Sequence, residues 1–208
     1  MGVVPEPILT LILLGGSSGS GKSYLAERYG RPHVELDNFY RELAEDSPQT
    51  PLPHTAYGEV DWDHPGTWNC DAAVNSVLHL LRTGSMEVPH YSISTSSYSG
   101  YSTVTMAGGP VVAEGIFVDE IRAPLIAHGV DVRAYYIDVS PITTAVRRLV
   151  RDIKERRKPL PFLLRRGWAL YRAEGSVRRR YVNAGFIPTP KARIRSMLAS
   201  ASTVPDPR

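Results

Sequence analysis

The sequence predicts an α/β fold, a parallel β-sheet flanked by helices, on three observations. Apolar segments of strand length alternate with segments of helical spacing along most of the chain. The first of them, Ile8 to Leu14, is apolar without alternation, as a strand buried on both faces must be. Directly after it, Gly15-Gly16-Ser17-Ser18-Gly19-Ser20-Gly21-Lys22-Ser23 runs into a helix-like segment opening at Tyr24. Within that stretch Gly16, Gly21, Lys22 and Ser23 satisfy G-x-x-x-x-G-K-S/T, a loop whose backbone N–H groups cradle phosphate oxygens.

The elements follow in order. Residues 1–7, with Pro5 and Pro7, read as a ragged end. The strand at 8–14 and the helix after the loop come next, the helix closing near Gly30 and Pro32. His33 to Leu36 reads as a short second strand that delivers Asp37-Asn38-Phe39-Tyr40 to its C-terminal end, the edge of an open parallel sheet where ligands sit. Pro48, Pro51, Pro53 and Gly58 mark 41–60 as loop. From Cys70 to Leu81 the apolar residues Ala73, Val74, Val77, Leu78 and Leu81 fall at helical spacing, with Asn69 or Thr67 as the cap. Glu87 to Tyr91 starts a strand, and the Ser, Thr, Tyr and Gly of 92–103 suit either a polar β-hairpin or a loop. Val111 to Gly115 is a strand with Glu114 at its end, 121–128 a short helix, and Ala134 to Val139 a core strand.

Pro141 opens a long basic helix through about Arg157, broken by Pro159 and Pro161, with a further helix over 162–181. The tail from 182 to 208, with Pro188, Pro190, Pro205 and Pro207, is expected to be weakly ordered apart from a short helix at 191–200. With the phosphate loop after the first strand, this order narrows the fold to a P-loop NTPase, a single domain over 1–208 with a basic helical lid at about 147–172.

Composition sets outer bounds. With 208 residues, 42% hydrophobic and 22% charged, the chain can bury a core of ordinary size. Its single cysteine, Cys70, forbids an internal disulfide, fits a reducing cytoplasm, and reads as an inert thiol. No apolar run is long enough to span a membrane, and no basic region precedes the first one as a signal peptide would require. The net charge is only +3, yet thirteen Arg and Lys lie between Arg147 and Arg180 against Asp152, Glu155 and Glu174. Such a block suits a polyanion, either the phosphates of a small ligand or nucleic acid, and the phosphate loop favours the small ligand.

Phosphoryl transfer needs a cradle, a metal ion, a positioned acceptor and positive charge on the transferring group. The cradle is Gly16, Ser17, Ser18, Gly19, Ser20, Gly21, Lys22 and Ser23, with Tyr24 following. Lys22 reaches the terminal phosphates, and Ser23 with Glu114 supplies oxygens for Mg²⁺. Asp37, on the ligand edge, can take the proton of an attacking hydroxyl; a helix cap before Phe39 is its bland alternative. Asp63 shares the edge logic, whereas His64 before Pro65 reads as a turn residue. Arg148, Arg151, Arg156 and Lys158 are the candidate phosphate cations of the basic helix.

Taken together, Gly19-Ser20-Gly21-Lys22-Ser23, Leu36-Asp37-Asn38-Phe39-Tyr40, Trp62-Asp63-His64-Pro65, Val88-Pro89-x-Tyr91, Ala113-Glu114-Gly115-Ile116 and Arg151-Asp152-Ile153-x-Glu155-Arg156 resemble the uridine/cytidine kinase family, and more distantly phosphoribulokinase and type I pantothenate kinase. The resemblance runs from about residue 8 to 160. It implies ATP as donor, Mg²⁺, Asp37 as acceptor base, Ser23 and Glu114 at the metal, and Arg151 and Arg156 on a lid over the triphosphate. It also implies Asp63, Tyr91 and Arg148 as nucleoside contacts. Two departures stand out. Tyr91 is followed by Ser92-Ile93-Ser94-Thr95-Ser96-Ser97, without the Asp-Phe and the pyrimidine-reading histidine usual there. Arg157-Lys158 replaces the usual Gly-Arg, so that Lys158 keeps the charge without the bidentate fork.

The expected activity is therefore an ATP-dependent small-molecule kinase acting on a hydroxyl, foremost the 5′-hydroxyl of uridine or cytidine. The alternatives are a kinase for another metabolite alcohol, a non-catalytic ATP-binding regulator, or an RNA-binding protein using 147–180. A GTPase is disfavoured by the lack of Asn-Lys-x-Asp, and a transporter ATPase by the lack of Leu-Ser-Gly-Gly-Gln. The expected partner is a small-molecule acceptor rather than a membrane or nucleic acid, with room for a homo-oligomer.

Overall fold

The computed structural model describes residues 10–140, 143–144 and 175–202. The basic lid segment 147–172, with Arg148, Arg151, Arg156 and Lys158, lies outside the described residues.

Strand β1 (Leu11–Gly15) is buried at every position. Its side chains alternate between two cores: Leu11 and Leu13 join the larger one, Ile12 and Leu14 the smaller. Fully burying each such leucine or isoleucine favours the fold by about 1.5–3 kcal/mol, so this strand anchors both layers. Helix α1 (Lys22–Tyr29) follows the loop, and strand β2 (His33–Glu35) follows the helix. Strands β5 (Val111–Glu114), β6 (Val132–Asp138) and β7 (Ile187–Pro190) complete a sheet of order β2-β5-β1-β6-β7, parallel at every pairing. From β1 the chain moves to one side to form β2 and β5, then crosses to the other for β6. The carboxyl end of β1 is thus the point where the strand order reverses, where open α/β sheets bind ligands.

Helix α2 (Cys70–Thr83) buries Ala73, Val74, Val77, Leu78 and Leu80, and Leu81 packs partly buried against them. Asn69 is its cap, accepting the Ala72 N–H at 3.0 Å. The Ser/Thr/Tyr-rich stretch left open by the sequence is a hairpin, with β3 (Ser85–Ser92) antiparallel to β4 (Ser97–Thr105). Short helix α3 (Arg122–Ala127) lies between β5 and β6.

The expected weakly ordered tail needs correcting over its described part. Residues 175–183 are helical (α4), β7 pairs with β6 as an edge strand, and α5 (Lys191–Ser202) packs Ile194 and Leu198 onto the smaller core. Pro188 and Pro190 sit in β7, where an edge strand tolerates the missing N–H. Among the described residues no helix is long and apolar enough to cross a membrane.

Candidate active site

The loop after β1 opens a cleft of about 600 Å³ at the carboxyl edge of the sheet. Ser18, Gly19, Gly21, Lys22, Ser23 and Tyr24 form one wall; Glu35, Asp37, Asn38, Tyr40, Tyr91, Ile93 and Ile116 form the other. Gly16, Ser17 and Ser20 belong to the loop but are buried within it. Gly21 caps α1 with φ +94°, in the left-handed region, and a side chain there would run into Lys191 Nζ. Only glycine meets both demands. Lys191 also lies over the Tyr24 ring, 5.2 Å from its centroid.

Asp37 sits in a 3₁₀ turn, Leu36–Phe39, that follows β2 directly. Its Oδ1 accepts the Ile116 N–H at 2.7 Å, so the cap alternative does not describe its contacts. The turn is pinned from behind: Trp68 Nε1 donates to the Leu36 carbonyl at 2.8 Å, and the Asn69 N–H donates to the Phe39 carbonyl at 2.8 Å. Gly115 lets the two strands' ends meet, since a Cβ there would lie 2.9 Å from Asp37 Oδ1. Burial pushes the Asp37 carboxyl above its ordinary value, and the carboxylates of Glu114 and Glu35 add to this; the Lys22 ammonium and the Ile116 N–H oppose the rise without cancelling it.

Glu114 ends β5, opposite Leu14 of β1 and Glu35 of β2. It is 1% exposed, and neither carboxylate oxygen has a hydrogen bond among the described residues; His33 Nε2 stands 3.4 Å from Oε1. Burial alone would raise its pKa, but the His33 ring, the Lys22 ammonium and the Ser23 hydroxyl outweigh burial and hold the carboxyl below its ordinary value. A buried, ionised carboxylate beside Ser23, whose Oε1 has His33 Nε2 at 3.4 Å, has the donor chemistry of a Mg²⁺ site, in which one or two carboxylates and substrate phosphates share the ion. Lys22, 9% exposed, bears on both Asp37 and Glu114, so its charge is balanced from two sides.

Among the residues implied as nucleoside contacts, Tyr91 lines the cleft and donates its backbone N–H to Asn38 Oδ1 at 3.3 Å. Asp63 does not line it; that side chain is exposed and acts on the nearby Tyr40 phenol, whose pKa is raised first by burial and then by Asp37 and Asp63. Sequence reasoning missed an aromatic group: Tyr40 stands 5.4 Å from Tyr91 and 5.9 Å from Trp62, centroid to centroid, and Tyr98 stands 6.1 Å from Tyr91. Tyr40 and Trp62 stand within motifs the sequence shows, and the Tyr40 hydroxyl donates to the Trp62 carbonyl at 3.2 Å; the hairpin brings Tyr91 and Tyr98 to them. Ile93 lines the same cleft while 84% exposed. The basic run also divides. Arg178 pairs with Asp138 at 3.2 Å and Arg180 with Asp119 at 2.8 Å, so neither is an uncommitted charge for RNA. Burial raises the Cys70 pKa, in keeping with an inert thiol.

Known proteins share the family and the fold of this chain. The model of the Phosphoribulokinase / Uridine kinase family matches residues 11–160. A uridine kinase of Clostridium botulinum (strain Okra / Type B1) is 26% identical over 153 residues, covering 70% of each chain. A uridine kinase of Geobacillus kaustophilus (strain HTA426) is 28% identical over 153 residues, covering 70% of this chain and 68% of that one. Among solved structures, a candidate fructose transport system kinase from Silicibacter sp. TM1040 superposes with a TM-score of 0.60 at 17% identity, over 84% of this chain and 88% of its own, which establishes the shared fold. With the P-loop at the strand-order reversal and the family match across most of its length, the chain belongs to the phosphoribulokinase/uridine kinase family and is a P-loop phosphotransferase with an alcohol acceptor.

Proposed function

We propose that this kinase transfers the γ-phosphate of ATP to the 5′-hydroxyl of a pyrimidine nucleoside, uridine or cytidine. The observation that carries the reading is Asp37, a half-buried carboxylate held at Oδ1 by the Ile116 N–H in the wall of the cleft that also exposes the phosphate loop. The acceptor oxygen attacks the γ-phosphorus, the bond from that phosphorus to the β–γ bridging oxygen breaks, and the hydroxyl proton passes to Asp37. Lys22 and the loop N–H groups balance charge on the β- and γ-phosphates. Arg151 and Arg156 add cations to the transferring group from the segment outside the described residues. Ser23 and Glu114 would hold Mg²⁺, which would supply positive charge to the phosphates.

The rings of Tyr40 and Tyr91, backed by Trp62, favour a flat acceptor, because they offer a pyrimidine faces and edges to pack on. In this reading Tyr91 contacts the nucleoside from the cleft wall and Arg148 and Lys158 complete the substrate contacts from the segment outside the described residues, while the exposed Asp63 stands outside the cleft lining. The family names of the relatives support the same acceptor class. One cysteine and the soluble substrate suit action in the cytoplasm.

A panel of nucleosides and small alcohols, scored for acceptor-dependent ADP release, tests the proposal. Uridine or cytidine should give the largest signal, and Asp37→Ala should abolish it while ATP still binds. Silence from both pyrimidine nucleosides, with turnover on a non-nucleoside alcohol, would overturn the acceptor. ATP binding without stimulation by any acceptor would favour a regulator.

A further inference from the structure

Asp37 is oriented by one peptide unit, Gly115–Ile116, whose N–H meets Oδ1 at 2.7 Å. The oxygen of that same unit, the Gly115 carbonyl, faces α4. There the Tyr181 hydroxyl lies 3.3 Å from the Gly115 oxygen and 2.9 Å from the Ile116 oxygen, donating into both. Arg180 adds a second donor, Nη2 to the Ile116 oxygen at 2.7 Å. Its guanidinium is locked in turn: Nε is 2.8 Å from Asp119 Oδ2, and Nη2 is 3.0 Å from Asp119 Oδ1. Asp119 is 6% exposed and Tyr181 1% exposed, so these contacts form away from water. The Arg180 guanidinium also lies over the Phe117 and Tyr181 rings, at 5.7 and 5.2 Å. Tyr181 reaches the other wall too, because a side chain on Gly15, at the root of the phosphate loop, would collide with its ring.

We infer that Arg180 and Tyr181 are positioning residues for phosphoryl transfer: they fix the Gly115–Ile116 peptide so that its N–H aims the Asp37 carboxylate at the acceptor. This rests on the reading of Asp37 as the acceptor base. Two physical effects act through the peptide. A donor on the carbonyl end of an amide polarises it and strengthens the N–H at the other end; on the Gly115–Ile116 amide that donor is the Tyr181 hydroxyl alone, whereas Arg180 acts on the next carbonyl, that of Ile116. The guanidinium fork, braced by a buried carboxylate, holds the 115–117 turn in one orientation. Among the described residues no backbone hydrogen bond of a sheet ladder does this work, because β5 ends at Glu114. The helix thus stabilises the ligand edge of the sheet from the side remote from the nucleotide.

The test compares wild-type full-length chain with Tyr181→Phe, Arg180→Lys and Asp37→Ala. Tyr181→Phe keeps the buried ring and removes only the hydroxyl; Arg180→Lys keeps a cation for Asp119 but has no fork to serve Ile116 as well. In ¹⁵N-labelled protein the Ile116 amide proton should move upfield in Asp37→Ala, which removes its acceptor, and in the same direction in both α4 variants. With ATP and uridine, kcat should fall about tenfold or more in the α4 variants, as expected for a displaced catalytic group, with KM for ATP within about twofold of wild type. A purely structural role would lower melting temperature without this split between kcat and KM. An unmoved Ile116 resonance in both α4 variants would overturn the inference. So would wild-type kcat in both of them while Asp37→Ala is silent. Wild-type turnover in Asp37→Ala would instead sink the assignment of Asp37 as base, and the positioning role with it.

Discussion

A half-buried carboxylate that has to ionise, as Asp37 would in the proposed transfer, carries a penalty in the fold that bears it. Burial raises the Asp37 pKa above its unperturbed value of 3.8, so the folded chain binds that proton more readily than the unfolded one. Stability therefore falls as pH rises from the unperturbed value through the raised folded value, and the penalty persists at neutral pH. Asp37→Asn keeps an oxygen for the Ile116 N–H and removes the charge. It should cut transfer by about two to four orders of magnitude yet raise the melting temperature at pH 8, with the gain shrinking on acidification. An unchanged or lower melting temperature at pH 8 would contradict this account of the site's strain. Glu114 has the opposite sign: its lowered pKa means that its contribution is present above the ordinary carboxylate value and is lost as pH falls through the folded one. Gly115 is the third residue under constraint. Because a Cβ would stand 2.9 Å from Asp37 Oδ1 and 3.1 Å from Leu36 Cβ, Gly115→Ala should lower kcat by about tenfold or more with ATP affinity retained, as read by steady-state kinetics beside nucleotide titration.

At the scale of elements, the hairpin β3–β4 brings Tyr91 and Ile93 to the cleft, on the acceptor side of the proposed reaction. Its hold on the cleft is polar and specific: the Tyr98 hydroxyl donates to the Tyr40 carbonyl at 2.7 Å, and the Tyr98 N–H donates to Glu42 Oε1 at 2.7 Å. Tyr98→Phe removes the first of these and leaves the ring. A net hydrogen bond is worth about 0.5–1.5 kcal/mol, so KM for the acceptor should rise roughly two- to tenfold while KM for ATP stays put; equal rises in both would show that the hairpin does not act on the acceptor side alone. This hairpin was hard to read from sequence because its outward face is polar and its serines, threonines and glycine fit a loop as well as a strand. Strand β7 was hidden for a different reason. Ile187-Pro188-Thr189-Pro190 resembles a loose tail by composition, and only its place at the sheet edge, paired to Tyr135–Asp138, makes the prolines acceptable. By contrast β1, the loop and α1 were legible because their signal is local: an uninterrupted apolar run, a spaced set of glycines and a helix start. The place of Asp37 in the cleft wall was legible from a single rule, that strands of a parallel sheet deliver residues to the ligand edge at their carboxyl ends. Arg180 and Tyr181 were not, since a basic run looks like solvated surface until the partners Asp119 and Ile116 are brought to it from 61 to 65 residues away in sequence.

Across the whole molecule, nucleotide binding and folding should be linked, because the phosphate loop is held by elements from both ends of the chain. β1 and α1 come from the start; Tyr181 on Gly15 and Lys191 on Gly21 come from the end. An unfolded chain has no such cradle, so ATP with Mg²⁺ binds the native state alone and stabilises it by mass action. At one hundred times Kd the gain is about 2.7 kcal/mol, which for a domain of this size raises the melting temperature by roughly 5–10 °C. The shift should survive Asp37→Ala, since that side chain faces the acceptor rather than the donor in the proposed reaction. It should vanish in Lys22→Met at the same nucleotide concentration, because the ammonium that balances the terminal phosphates is gone. Lys22→Met should also leave the nucleotide-free protein less stable at neutral pH, since Asp37 and Glu114 lose the cation they share. Thermal melts of the three proteins, with and without ATP and Mg²⁺, read all of these together. A full shift in Lys22→Met would mean that the nucleotide is held elsewhere and that the loop is not the donor site. A shift lost in Asp37→Ala would place that carboxylate on the donor side, so that the acceptor oxygen would have to approach the γ-phosphorus from another wall of the cleft.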